Sequence, residues 1–217
     1  FNILVRRGES IASAERDSFD SDTWRSNFSF ITSSMDRKTI LWGKKAPVRE
    51  IPSLGGYIYD ISYSSVTPNL CAVAVGDRTI RVWDTSEEDD PLRSTTHWNG
   101  LQSEVTSICW HPSQEGFVAY GTNDGKIGLF DVLKDRNIPF PNTNTGAVRH
   151  VEFRNDNTAY ACNEAGDLLE FVLSGAVFRA MQSTGTVGMN VTVFNARSKL
   201  ASNLVADQIL EKNECLT

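Results

Sequence analysis

Four times along this chain a turn residue is followed, six positions later, by an aromatic that closes a short apolar strand. The segments are MDRKTILW (Met35 to Trp42), GDRTIRVWD (Gly76 to Asp84), NDGKIGLFD (Asn123 to Asp131) and EAGDLLEF (Glu164 to Phe171). The spacing is 41 residues from Trp42 to Trp83, 47 from Trp83 to Phe130 and 41 from Phe130 to Phe171. A period in the forties commits a chain to one small unit made repeatedly, each burying its apolar face against its neighbours. The unit is clearest between Val105 and Asp131. Val105 to Trp110 reads as one strand, His111-Pro112 breaks it, and Phe117 to Gly121 reads as a second. Asn123-Asp124-Gly125 then supplies a hairpin turn, and Ile127 to Phe130 returns as a third strand.

A turn acid, an apolar strand and a closing Trp-Asp at this period resemble the WD40 repeat, whose units build four-stranded propeller blades. In such a blade Asp36, Asp77 and Asp124 have a structural task, accepting backbone N–H bonds in the hairpin turn. Trp42, Trp83 and Phe130 have another, packing under the neighbouring sheet. The repeats are degenerate: no Gly-His pair precedes Val105, and Glu164-Ala165 replaces the turn acid in the last unit.

The expected fold is therefore all-β, with about four to five WD40 blades at residues 28–178. Residues 1–27 read as the end of a preceding blade and a connector, and 179–217 as a connector out of the blades. Asn195 to Lys212 carries Leu200, Leu204, Val205 and Ile209 at helical spacing, which predicts a short C-terminal amphipathic helix. Seven blades would need about 290 residues, so 217 residues suggest a segment of a longer chain.

Composition narrows the function. A formal charge of −6 argues against a broad basic surface for non-specific nucleic-acid binding, though not against a small specific pocket. Cys71, Cys109, Cys162 and Cys215 are scattered, with no C-x-x-C pair, as expected of thiols in a reducing compartment rather than of a zinc site or disulfides. Neither a metal nor a cofactor is expected. No apolar run approaches the roughly 18 residues of a membrane span, and no signal peptide opens the sequence. His97, His111 and His150 are dispersed and pair with no nucleophile motif, so the reading is not an enzyme.

Trp98 stands apart. It lies between polar neighbours, outside the strand alternation, after the acidic stretch TSEEDDPLRSTTH that reads as a solvated loop. Such a residue is either a plug over a blade edge or an aromatic offered to a ligand. Phe178 has a similar ambiguity, between the core of an outer strand and a ligand-facing aromatic.

From Ile31 to Asp131 the match is more specific than the repeat. SSMDRKTILW, IPSLGGYIYDISYSSV, VGDRTIRVWDT and HWNGLQSEVTSICWHPSQEGFVAYGTNDGKIGLFD resemble the Gemin-five family of WD-repeat proteins of the survival-of-motor-neuron complex. That resemblance implies a double-propeller chain that recognises small nuclear RNA, by its Sm-site sequence and 7-methylguanosine cap, for delivery to Sm-core assembly. It also implies ribosome association, survival-of-motor-neuron partners and a cytoplasmic and nuclear location. Under it, Trp98 falls on the family's RNA-stacking tryptophan and Phe178 near a second aromatic, with Arg149 standing in for basic residues that are absent at Thr145-Gly146. A peptide-binding WD40 scaffold without RNA recognition is the competing expectation.

Overall fold

The computed structural model describes residues 2–5, 28–34, 36–43, 46–51, 55–67, 69–85, 94–140, 146–173 and 190–195. These residues form four antiparallel four-stranded sheets, each a meander in chain order. The first sheet is β1 (Asn2–Val5), β2 (Phe28–Ser33), β3 (Thr39–Gly43) and β4 (Pro47–Ile51). The second is β5 (Ile58–Tyr63), β6 (Leu70–Val75), β7 (Thr79–Asp84) and β8 (Ser94–His97). The third is β9 (Val105–Trp110), β10 (Phe117–Thr122), β11 (Ile127–Asp131) and β12 (Arg136–Pro139). The fourth is β13 (Val148–Asn155), β14 (Thr158–Asn163), β15 (Asp167–Val172) and β16 (Asn190–Asn195). Successive first strands, β1 with β5, β5 with β9 and β9 with β13, approach one another, so the sheets fan outward from a shared inner side as propeller blades do.

Each closing aromatic is the wedge between its own sheet and the one before. Trp83 is buried among Ile31, Leu41 and Ile51 of the first sheet and Ile58, Ile61, Cys71 and Val73 of its own. Phe130 is buried against Ala72, Ala74, Ile80 and Val82 of the second sheet. Phe171 does the same against Ala119, Ile127 and Leu129 of the third, its ring 4.9 Å from that of Phe140. Small residues on the receiving face admit these rings: Ala72 and Ala119 occupy corresponding ladder positions in β6 and β10. At Gly121 a Cβ would collide with Val148 of β13, so the sheets close tightly there. Trp42 differs. It is half-buried, and its indole N–H donates to Thr32 Oγ1 at 2.8 Å.

The turn acids differ in partner, a backbone N–H at Asp36 and side chains at Asp77 and Asp124. Asp36 Oδ1 accepts the Lys38 backbone N–H at 3.1 Å. Asp77 accepts from the Thr79 hydroxyl and pairs with Arg81, and Asp124 accepts from the Thr122 hydroxyl. Burial works to raise the Asp124 carboxyl, but the bonds from Thr122 and Lys126 outweigh it and hold the group below the usual carboxylate range. The residue after each turn position is left-handed. Gly125 and Gly166 hold that position in the third and fourth sheets, whereas the first two carry Arg37 at φ 72° and Arg78 at φ 69°.

Four expectations need correction or fall outside view. Asn2–Val5 is the first strand of the first sheet, paired with β2, rather than the tail of a preceding blade. The stretch read as a loop before Trp98 contains β8, β12 follows the third strand of its sheet after Asp131, and the connector at 179–217 contains β16, paired along its whole length with β15. β8 and β12 are outer edge strands, short, polar and paired on one side, so they lack the apolar runs of the inner ones. The expected C-terminal helix lies outside the described residues, apart from Asn195, which ends β16.

A polar chain stitches the inner strands. Asp60 of β5 accepts the Ser107 hydroxyl at 2.8 Å and the Ile108 N–H at 3.1 Å through Oδ2, and the Ile61 N–H at 2.9 Å. Ser107 Oγ in turn accepts the Val151 N–H of β13 at 3.0 Å. Burial pushes the Asp60 carboxyl above its ordinary value, against the opposing bonds from Ile108, Ser107 and Ile61. Asp60→Ala orphans both donors of β9 and should cost about 1–3 kcal/mol in urea unfolding. The sign of the pH effect follows from the raised value. The folded state holds the Asp60 proton more tightly than the unfolded one, so this contribution is full below the unfolded pKa and is lost as pH rises through the folded one. Asp60→Asn should remove that acid-side gain in unfolding midpoints measured across pH.

Candidate functional site

The ladders bring one set of loops to the same ends of the sheets. Val75 pairs with Thr79 and Ile80 with His97, so the β6–β7 turn and the chain leaving β8 lie at one end of the second sheet. In the third sheet, Val105 and Thr122 pair at the end bearing the β10–β11 turn. In the fourth, Val148 pairs with Asn163 beside the β14–β15 turn.

Trp98 leaves β8 at this end, and its side chain is 67% exposed. Its backbone is fastened on both sides. The preceding His97 is buried, its Nδ1 2.9 Å from Asp135 Oδ1 and its ring 5.4 Å from that of Phe130. The following Asn99 donates to the Asp135 carbonyl at 3.2 Å, and Gly100, left-handed at φ 74°, packs against Asn137. Leu101 N–H closes a turn onto the Trp98 carbonyl at 3.0 Å. The third sheet therefore grips the loop while the indole stands in solvent. This is a pre-ordered aromatic platform, whose stacking on a base forfeits little backbone entropy.

Farther along the loop, Gln102 Oε1 accepts the Lys126 ammonium at 2.8 Å, and Lys126 also pairs with Asp124 at 3.2 Å. Glu104 Oε2 accepts the Tyr59 hydroxyl at 3.2 Å; burial first, and then that carboxylate, raise the Tyr59 phenol. Arg149 is on β13, the first strand of the fourth sheet, and its guanidinium pairs with Glu164 at 3.0 Å. No described contact joins it to Trp98, on the far side of the second sheet's meander, so the two expected site residues are not brought together. Phe178 lies outside the described residues.

One residue was missed in the sequence. Tyr57 is 49% exposed where the chain enters β5, and its carbonyl accepts the Gly76 N–H at 2.8 Å, which puts it at the same end of the second sheet as Trp98. The Gly55-Gly56 turn before it, with Gly55 at φ 81°, was the available signal, because it starts the strand one residue after Tyr57 and leaves that ring off the ladder. Two of the described cysteines are deeply set in the sheets. Burial raises the Cys71 thiol and pushes Cys109 up to about 12, which leaves both poorly nucleophilic. Among the described residues no three His, Cys, Asp or Glu side chains are grouped to hold a metal ion.

Residues 47–84, which run from β4 through β7, match the WD domain, G-beta repeat family. The four antiparallel sheets fit WD40 blades. Similarity to full-length proteins is concentrated in part of the chain. Gem-associated protein 5 of Homo sapiens is 40% identical over 108 residues, which are 49% of this chain and 7% of that protein. Component of gems protein 5 of Dictyostelium discoideum is 35% identical over 130 residues, 58% of this chain and 10% of that protein. A more distant relative, Periodic tryptophan protein 1 homolog of Drosophila melanogaster, is 26% identical over 113 residues. The matched region is thus a tenth or less of the two gem-associated relatives.

Proposed function

We propose that this chain is an RNA-binding, non-enzymatic WD40 protein that presents Trp98 to an unpaired base or a 7-methylguanosine cap of small nuclear RNA. It would act with the survival-of-motor-neuron complex in the cytoplasm and nucleus, delivering that RNA through its Sm-site sequence, with the ribosome as a further partner. The observation that carries the reading is the exposed indole on a backbone held at His97, Asn99 and Gly100. An indole buried as a plug would be shielded; this one is open to solvent. A methylated guanine is a flat cation, and an indole face offers it both stacking and cation–π attraction. The similarity to proteins named as gem-associated supports the choice of partner complex.

A protein-interaction scaffold is the second reading, and the charges favour it. Arg81, Lys126 and Arg149 on this end of the sheets are each tied to a carboxylate. Titrating the full-length protein with 7-methylguanosine triphosphate and with guanosine triphosphate, followed by tryptophan fluorescence, separates the two. RNA-cap recognition requires saturable quenching specific to the methylated ligand. Absence of binding by folded protein to both ligands and to single-stranded Sm-site RNA would leave the scaffold.

A further inference from the structure

We propose that Glu164 is a built-in competitor for RNA: its carboxylate occupies the Arg149 guanidinium in the free protein, and a phosphate of a bound single strand displaces it. The proposal rests on the RNA-binding reading above and names what tempers its charge.

The ladder sets the position of Arg149. β13 pairs with β14 at Val148–Asn163 and next at His150–Cys162, which leaves Arg149 as the extra residue of a bulge. Bulges re-aim a side chain out of the regular pleat and recur beside functional sites. The second and third sheets make the same step at Tyr59 and Thr106. Thr106 is buried there and donates to the Val148 carbonyl at 2.6 Å, and Tyr59 donates to Glu104. Arg149 is the exposed member of the three, with 57% of its side chain in solvent. Burial is what chiefly raises the Tyr59 phenol, and the Arg149 charge works against it, so these two bulge residues share one electrostatic neighbourhood.

Glu164 is released from the duties of a turn acid. Asp77 and Asp124 each accept a Thr hydroxyl of their own hairpin and hold that hairpin's cation, Arg81 or Lys126. In the fourth sheet Asn163 fastens the turn instead, accepting the Asp167 N–H at 2.8 Å and donating to Asp167 Oδ2 at 3.1 Å. Glu164 turns toward the neighbouring strand. Its Oε1 accepts the Ala147 N–H at 3.4 Å, and its Oε2 accepts from Arg149 at 3.0 Å. The carboxylate is thus pinned to the backbone, and the guanidinium on its long stem is the partner that can swing away.

Exposure decides which of the ion pairs at this end opens most easily. Arg149 and Glu164 are 57% and 52% exposed, against 23% for each of Arg81 and Asp77. A pair so open to water is weakly held. A phosphate accepts two parallel bonds from the guanidinium fork and so displaces a carboxylate that accepts one. Until then Glu164 cancels a charge that would attract any RNA, because phosphate attraction is blind to sequence.

The test titrates the full-length protein with single-stranded Sm-site RNA across a salt series, and with 7-methylguanosine nucleoside as a ligand that has no phosphate. Glu164→Gln keeps an oxygen for the Ala147 N–H and should melt as the unmodified protein does. It should tighten the RNA about two- to fivefold and steepen its salt slope by about 0.7, because a phosphate contact no longer replaces an internal one. The nucleoside should bind both proteins alike. In an Arg149→Ala background the same substitution should have no further effect. If Glu164→Gln leaves RNA affinity and salt slope unchanged, or weakens binding, while Trp98→Ala abolishes it, Glu164 does not compete and the Trp98 reading stands. A tightening that persists undiminished in Arg149→Ala would contradict the proposal equally, since it would be a general effect of charge. If the unmodified protein binds no RNA, both readings fall together.

Discussion

Trp83→Ala should destabilise the chain by about 3–5 kcal/mol, a large part of the roughly 5–15 kcal/mol that holds a typical domain folded. The ring is almost wholly removed from solvent and touches two sheets at once, so its loss opens a cavity bounded by Ile31, Leu41, Ile58, Ile61 and Val73. Stacked units are coupled mainly through such interfaces. The damage should therefore appear as uncoupling of the first sheet from the second. Hydrogen exchange should accelerate most in β3 and β7 and least in β14 and β15, and the urea midpoint should fall. Trp83→Phe, which keeps most of the wedge, should cost much less. Trp42→Ala is the instructive contrast: the ring is half-buried and its N–H bonds Thr32, so its removal forfeits one hydrogen bond and part of the contact area.

Trp98→Ala should do the reverse, leaving stability within about 0.5 kcal/mol and removing ligand affinity. Base stacking on an aromatic is worth about 1–3 kcal/mol, or roughly 5–150-fold in dissociation constant, and a cationic methylguanine should lie toward the upper end. Trp98→Phe should retain part of the affinity, because a smaller ring still stacks. A Trp98→Ala protein that melts several degrees lower yet binds unchanged would make the indole a structural cover after all. Two residues of one type thus divide the labour. Trp83 falls in a ladder position facing the preceding sheet, whereas Trp98 falls one step past the end of its strand.

What could be read from the chain follows from where burial is two-sided. In β6, β7, β10 and β11 most side chains are buried between sheets, so the strands are continuous apolar runs such as LCAVAV and FVAYGT, and the closing aromatics mark their period. The fourth strands STTH and RNIP are short and polar because they pair on one side only, and nothing in their residues separates them from loops. The strand NVTVFN does alternate, but residues 173–189 separate it from its partner, far beyond the two to five residues of an ordinary hairpin. The same reason misplaced β1, read as the end of a preceding blade, because it joins β2 across residues 6–27.

The site divides in a similar way. Trp98 was legible because it interrupts a polar run. Its fastening was not, because His97 meets Asp135 and Gly100 meets Asn137 across sequence separations that only the packing of two blades brings together. Arg149, expected to stand in for absent basic residues, is paired with Glu164, fifteen residues on and across a ladder.

Photo-crosslinking of the full-length protein to a capped, 4-thiouridine-substituted single-stranded Sm-site RNA, with the adducts mapped by mass spectrometry, asks most directly whether the Trp98 platform is an RNA site. Adducts should concentrate on the peptide spanning residues 94–104 and on the β6–β7 turn at 76–79, and should disappear with Trp98→Ala. Adducts confined to the opposite ends of the sheets, at residues 64–70 and 112–117, or unchanged by Trp98→Ala, would contradict it.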